Sequence, residues 1–301
     1  MNKIKPTIVV FGCTGTVGTE VIRQLQKEDC NVRGVLRTPD RPHPISYSSN
    51  ITYVSADLKS PEQVFNACMG ADALFLLTAT SPYQVEYEIN VIAAAKKCGV
   101  KRVVKLSAPI LHSEAHVQVS EWHHQIDEHL INTIDEYCCL RPHSFMQNWE
   151  RNTFTIQAFG KIYGALGTAK RNYIDCRDVA AVAAHYLLSP NAVRESSVVL
   201  AGPQALTNQE IASKLSLVTG RAIEYVDISP EEFYNKLTKR AKLPNWLANH
   251  IVELDNLAIQ IPEPIYDTVT NLIGQKPRII DEYFQESRHL FKRKSLLKMI
   301  F

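Results

Sequence analysis

No stretch of this chain approaches the roughly 18 unbroken apolar residues of a membrane-spanning helix, so no helical span is expected. Charge of one sign is lacking as well. The 33 Lys and Arg residues face 31 Asp and Glu, and a net charge of +2 points to neither a nucleic acid nor an acidic partner. The 7 cysteines are odd in number and show no Cys-x-x-Cys spacing, which removes a disulfide framework and a zinc ribbon. Cys138 and Cys139 are adjacent inside an apolar run, as packing thiols of a reduced chain would be. There is no Gly-x-Ser-x-Gly elbow, which disfavours hydrolase chemistry. His112-Ser113-Glu114-Ala115-His116, even with His123 and His124 nearby, lacks the His-Glu-x-x-His order, and a polar loop without metal is expected. Met1 to Pro6 leads straight into an apolar run with no room for a signal peptide, so a cytoplasmic location is expected. No internal repeat or low-complexity tract is present.

What remains is a globular composition, 301 residues with 45% hydrophobic and 21% charged, ample for a sizeable core. The chain is organised around Thr7 to Gly18. A short apolar run, Thr7-Ile8-Val9-Val10-Phe11, ends at Gly12, and Gly15 and Gly18 follow at three-residue steps. A helical pattern starts at once, with Val17, Val21, Ile22 and Leu25 on one face and Glu20, Arg23 and Gln24 on the other. This is the strand, turn and helix start of a dinucleotide-binding βαβ unit. Gly12 permits the turn, Gly15 lets backbone approach a diphosphate, and Gly18 lets helix and strand pack closely.

Strands are predicted at Val32–Leu36, Ile51–Ser55, Ala73–Leu77, Val103–Ser107 and Tyr137–Leu140, the last stopped by Arg141-Pro142. Helices alternate with them: one opened by the cap Ser60-Pro61-Glu62-Gln63, one from Tyr83 to Cys98 closed by Gly99, and one from Val119 to Thr133. Thr38 to Asn50, with three prolines, is a loop. Beyond about residue 150 the alternation loosens. A strand edge and helix span Tyr173 to Leu188 with a cap near Asp178, and Ser197–Ala201 is a short strand. Thr207-Asn208-Gln209-Glu210 is a capping box whose helix runs to Gly220. Ile223–Ile228 is a strand, Ser229-Pro230 opens another helix, and Pro244–Ile261 is helical. The expected fold is α/β: a doubly wound parallel Rossmann sheet over residues 1–150, with 171–190 packing back on it, and a smaller C-terminal α/β substrate lobe that takes up mainly 151–301. Ligands of such sheets lie beyond the carboxyl ends of the strands, here Gly12, Arg37, Asp57, Thr78, Ser107 and the segment from Pro142.

About 20 residues past the glycine motif, NAD-preferring proteins carry an acid for the ribose 2′-hydroxyl. Here that place holds Leu36-Arg37-Thr38, with Arg41 close behind. A carboxylate would repel a 2′-phosphate, whereas a guanidinium grips it, so NADP(H) is the expected cofactor unless Arg37 merely solvates a loop. Asp57 either lies near the adenine or caps the turn before Ser60.

These residues resemble the NmrA-like branch of the atypical short-chain dehydrogenase/reductases. The resemblance rests on Gly12-x-x-Gly15-x-x-Gly18, Arg37, Ala56-Asp57-Leu58 and Val100-Lys101-Arg102-Val103-Val104-Lys105-Leu106-Ser107. It continues through His123-x-x-Ile126-Asp127-x-x-Leu130, Leu140-Arg141-Pro142-x-x-Phe145-Met146-x-Asn148 and Tyr173-Ile174-Asp175-x-Arg177-Asp178-Val179-Ala180, covering residues 5 to 190 well. The resemblance implies that Thr14, Thr16 and Val17 join the phosphate turn, and that Asp57 and Leu58 border the cofactor. It also implies that Thr78 approaches the ribose, that Pro142 to Phe145 wall the nicotinamide, and that Met146, Asn148 and Trp149 sit near the substrate. The family holds NAD(P)H-dependent reductases of quinones, dyes, phenylpropanoids and ergot-type imines, and also non-catalytic regulators that sense the cofactor's redox state. The expected partner is thus a small-molecule acceptor for a reductase, or a protein for a regulator.

The wider superfamily uses Tyr-x-x-x-Lys, and no tyrosine here is followed four residues later by lysine. Some reductases of this branch keep a lone lysine on the helix before strand six, where this chain has His123 and His124. His123 either exchanges a proton near neutral pH or only shapes the pocket. Ser107 either orients a substrate carbonyl or caps its loop. Hydride transfer to a quinone, dye or iminium needs no protein acid, so the missing tyrosine weakens alcohol–ketone chemistry most. The basic, apolar end from Phe291 to Phe301 reads as a solvated helix end or frayed tail, with a membrane or partner contact as the other reading.

Overall fold

The structure is a computed structural model that describes residues 5–38, 45, 48–109, 117–189 and 196–293. The first half alternates strictly: β1 (Thr7–Val10), α1 (Thr16–Leu25), β2 (Asn31–Leu36), β3 (Ile51–Ser55), α2 (Pro61–Cys68), β4 (Ala73–Leu76), α3 (Gln84–Lys97), β5 (Arg102–Leu106), α4 (Gln118–Ile131) and β6 (Glu136–Pro142). The second half runs β7 (Ser144–Phe145), α5 (Thr153–Phe159), β8 (Lys161–Gly164), β9 (Arg171–Ile174), α6 (Cys176–Leu188), β10 (Ser196–Leu200) and β11 (Ala205–Leu206). It continues with α7 (Asn208–Thr219), β12 (Glu224–Asp227), α8 (Pro230–Asn235), α9 (Asn245–Gln260), α10 (Thr268–Ile273), α11 (Ile280–Glu286) and α12 (Arg288–Phe291).

Seven parallel strands form the main sheet in the order β10-β6-β5-β4-β1-β2-β3, so the strand order reverses at β1, between β2 and β4. Residues of β1 alternate between the two faces. Ile8 and Val10 pack with α1 and α6, whereas Val9 and Phe11 pack with α2, α3 and α4. This double coverage explains why the strands read as continuous apolar runs. A third core, including Met146, Trp149, Tyr173, Ile211, Leu215 and Phe284, fills the C-terminal lobe.

Local signals place most elements. Ser60 accepts from the Gln63 N–H at 3.4 Å with Pro61 opening α2, and Thr207 and Glu210 close a reciprocal capping box on α7, ended by Gly220 at φ +73°. Three expectations need correcting. β6 does not stop at Leu140, because β10 lies along that edge with Val199 opposite Arg141 and Leu200 opposite Pro142. By the same pairing, the main sheet takes its seventh strand from residues 196–200. The cap of α6 is Asp175, which accepts from the Arg177 N–H at 2.8 Å; Asp178 sits inside the helix and pairs with Arg278 a hundred positions away.

All seven cysteines are free; six are buried, and Cys98 is half-buried. Burial pushes the Cys13 thiol up to about 12, consistent with an inert packing thiol. Arg41, His112, His116 and the tail from residue 294 lie outside the described residues. Phe291, expected in the tail, ends α12 fully buried. Among the described residues no helix is long and apolar enough to cross a membrane, and no group of three His, Cys, Asp or Glu could hold a metal.

Candidate functional site

The site grows from the turn after β1. Gly12 has φ +69°, and a Cβ there would stand 2.5 Å from the Leu77 carbonyl oxygen. A Cβ on Gly18 would stand 2.1 Å from the Gly12 carbonyl oxygen, so the start of α1 lies directly on the turn. The turn is tied down by the Gly15 N–H donating to Gly12 O at 2.9 Å and by Cys13 Sγ donating to Val35 O on β2 at 3.1 Å. Gly15 itself is different: it is exposed, has an ordinary φ of −84°, and gives α1 no side-chain cap. The first-turn N–H groups of α1 therefore lack a side-chain acceptor, and a Cβ at Gly15 would meet only the Gly12 carbonyl oxygen, at 3.3 Å, so the space beside the turn is open. That cradle suits a diphosphate. Thr14 and Thr16 flank it, exposed, while Val17 is buried behind.

Arg37 lies one residue beyond β2, exposed, and has no ion-pair partner among the described residues. Asp57 is exposed at the end of β3, where its carboxylate accepts from the Lys59 N–H at 3.0 Å, the turn-capping role. Leu58 packs on the α2–α3 side, and its carbonyl accepts from Asn90 at 3.0 Å.

From Thr16 and Val17 a cavity of about 1240 Å³ runs past the ends of β4, β5 and β6 to the underside of α9. Such a volume exceeds the usual range for one small ligand and leaves room for two reactants. Thr78, Ser107, His123, Pro142, Phe145 and Asn148 line it. Met146 and Trp149 do not; they turn into the lobe core, Trp149 against Tyr173 at 5.6 Å between ring centroids. The short helical turn from Met146 to Asn152 explains the split, since neighbouring residues on it face opposite sides.

Below the cavity floor lies a charged set that periodicity did not single out. Lys105 on β5, with no exposed surface, meets Asp127 Oδ1 at 3.1 Å and Glu88 Oε2 at 3.6 Å. Arg141 on β6 meets Asp127 Oδ2 at 2.7 Å and donates to Ala108 O at 2.7 Å. Two cations thus face two carboxylates, the arrangement that buried charge requires. Thr78 Oγ1 donates to Glu88 Oε1 at 2.8 Å, and Ser107 Oγ donates to Asp127 Oδ2 at 2.7 Å. Their single protons are therefore committed, and each hydroxyl can offer the cavity only an acceptor. Burial pushes the Glu88 carboxyl up, opposed by Lys105 and by the hydrogen bonds from Thr78 and Gln84. His123, on the α4 face it shares with Asp127, takes a 2.9 Å contact from Lys105 Nζ to Nδ1. Burial, reinforced by Lys105, Arg141 and His250, holds its pKa well below the ordinary histidine value, so the ring is neutral. A lysine inside an apolar parallel strand was the available sequence signal for this set.

The far wall is α9, which presents His250, Leu254, Leu257 and Ala258 to the cavity at helical spacing. Arg171 fastens it through Asp255 at 3.1 Å, and Glu263 accepts from the Asn172 N–H at 2.6 Å while facing His143 Nδ1 at 3.4 Å. His250 Nδ1 is buried without a hydrogen-bond partner among the described residues, and burial, with Arg171 and Arg151, pushes its pKa down to about 4. The unfolded chain takes up that proton first, so this contribution to stability is present above about pH 6.5 and lost as pH falls. Over the window down to pH 4 it amounts to up to about 3 kcal/mol. His250→Asn is expected to flatten the curve of unfolding free energy against pH in that window, measured by urea denaturation; an unchanged slope would mean that His250 titrates alike in both states.

The NmrA-like family pattern matches residues 4–284. The chain is 31% identical over 279 residues to an NAD(P)H azoreductase of Xenophilus azovorans, covering 92% of this chain and 96% of that one. The crystal structure of the NADPH-dependent quinone oxidoreductase QOR2 of Escherichia coli complexed with NADPH superposes with a TM-score of 0.80 at 25% identity, covering 94% and 99% of the two chains. NmrA, a negative transcriptional regulator crystallised with NAD, shares the fold with a TM-score of 0.76 at 14% identity, covering 94% and 95%.

Proposed function

The chain belongs to the NmrA-like family, and from that premise we propose that it is an NADP(H)-dependent oxidoreductase that passes hydride to a small conjugated or cyclic acceptor. The observation that carries this reading is one continuous cavity that starts at the uncapped N-terminus of α1 and runs past His123 to α9. In this reading Gly12, Thr14, Gly15, Thr16, Val17 and Gly18 hold the diphosphate, and Arg37 takes the 2′-phosphate. Pro142 and Phe145 wall the nicotinamide, Thr78 borders the ribose, and the acceptor lies between Asn148 and the apolar stripe of α9. The bound cofactor supplies the hydride; the protein supplies position and a dry floor. An NADPH-oxidation screen across azo compounds, quinones, triphenylmethane dyes and cyclic imines tests the proposal. Steady turnover with any of them supports it. Tight NADPH binding with no turnover on any acceptor favours a cofactor-sensing regulator instead.

The choice of cofactor is tested separately. Arg37→Asp is expected to weaken NADPH about 10- to 100-fold more than NADH, the worth of one or two charge-assisted hydrogen bonds. Equal losses for both cofactors in a fluorescence titration would remove Arg37 from the 2′-phosphate.

A further inference from the structure

His123 has two ring nitrogens in two different surroundings. Nδ1 faces Lys105 Nζ at 2.9 Å, and an ammonium held between two carboxylates can only donate. Nδ1 is therefore the acceptor, and the proton of the neutral ring sits on Nε2. Beside Nε2, at 3.5 Å, stands the Gln84 side-chain nitrogen, which donates to Glu88 Oε1 at 3.0 Å and offers no lone pair. Two donors cannot satisfy one another, so the Nε2–H is left for an acceptor atom in the cavity that His123 lines. The floor thus joins a fully buried ammonium, a ring that touches both it and the cavity, and a free donor at the cavity end.

Building on the reductase reading, we propose that Lys105 and His123 form a proton relay that delivers a proton to the acceptor's heteroatom as hydride arrives. The steps balance. The Nε2 proton passes to the heteroatom that has gained electron density, and a Lys105 Nζ proton passes to Nδ1. The ring stays neutral in its other tautomer, and the lysine is left as an amine. When product leaves, a proton from water entering the cavity returns by the same path, to Nε2, with the Nδ1 proton going back to Nζ. Lys105 never meets solvent, so the imidazole is its gate. This does the work of a tyrosine–lysine pair with residues from β5 and α4. It also sets the acceptor class. Carbonyl and azo acceptors, whose hydride adducts carry localised negative charge, depend on the relay. Quinones, whose adducts delocalise it, depend on it less.

The groups facing His123 are Lys105 from β5, Arg141 from β6, Gln84 from α3 and His250 from α9, with Glu88 from α3 and Asp127 from α4 on the far side of Lys105. The direct test is nitrogen-15 NMR of histidine-labelled wild-type protein between pH 6 and 8, which needs no variant and no turnover. The neutral Nε2–H tautomer of His123 is expected throughout; an imidazolium or an Nδ1–H tautomer overturns the relay. In kinetics, Lys105→Met and His123→Gln are expected to lower turnover on an azo acceptor about 100-fold more than on a quinone, the usual worth of a general acid. His123→Gln serves if Lys105→Met does not fold. Equal losses on both acceptors overturn the relay and leave the reductase reading standing. No NADPH oxidation with any acceptor overturns the reductase reading itself, whatever the tautomer.

Discussion

Gly18→Ala is expected to cost the chain most of its stability, while Gly15→Ala, three residues earlier, leaves the fold almost untouched and removes cofactor binding. The added Cβ at Gly18 would lie 2.1 Å from the Gly12 carbonyl oxygen and 2.7 Å from its carbon. That oxygen cannot retreat, because it accepts from the Gly15 N–H and Gly12 is pinned at positive φ against Leu77. The whole of α1 would have to lift from the sheet and from α6, and a loss above about 4 kcal/mol is expected for a backbone clash at a strained turn. At Gly15 the same methyl meets only Gly12 O, at 3.3 Å, with an ordinary backbone conformation, so unfolding should shift by no more than about 1 kcal/mol. Its methyl would instead occupy open space beside the turn, where the proposed diphosphate approaches. Urea denaturation and NADPH titration of both variants separate the effects. A Gly15→Ala protein that binds NADPH as tightly as the wild type would show that the turn is not used to approach a diphosphate.

Asp127→Ala is expected to be the second severe change, at about 3–5 kcal/mol, the cost of stranding buried cations. Among the described residues, Asp127 alone has a carboxylate that meets Lys105, Arg141 and Ser107 together, at 3.1, 2.7 and 2.7 Å. Without it, the carboxylate left to Lys105 among the described residues is Glu88, at 3.6 Å, beside the neutral acceptors His123 Nδ1 at 2.9 Å and Leu106 O at 3.3 Å. The paired variant Lys105→Met with Asp127→Leu removes both signs at once and should cost less than the two single changes added, by about 0.5–3 kcal/mol of coupling. Additive losses in denaturation would mean that the ions are hydrated rather than held by one another.

The glycine turn, its strand and the start of its helix are legible because they are a local arrangement written between Thr7 and Gly18. The caps at Ser60 and Thr207 were legible for the same reason. The charged floor was not, because its members come from α3, β5, α4 and β6 and meet only through parallel crossovers. The apolar run around Lys105 hid it, although an amine in the middle of a doubly covered strand demands a partner. The edge at Arg141-Pro142 reads as a stop, because a proline ends a strand until Val199 and Leu200, 58 residues later, are seen beside it. Asp175 and Asp178 are equivalent as caps on sequence grounds; only Arg278, from a distant loop, explains why the second lies inside the helix. The family resemblance places Met146 and Trp149 on the substrate side. The helical turn that carries them sends Asn148 to the cavity and those two to the lobe core.

Calorimetric titration of the folded protein with NADPH, in competition with adenosine 2′,5′-bisphosphate, tests the central claim most directly. One saturable site is expected, displaced by the bisphosphate and lost in Gly15→Ala. Heat that shows no binding, or NADPH that the bisphosphate leaves in place, would contradict a cofactor held by the first turn and by Arg37.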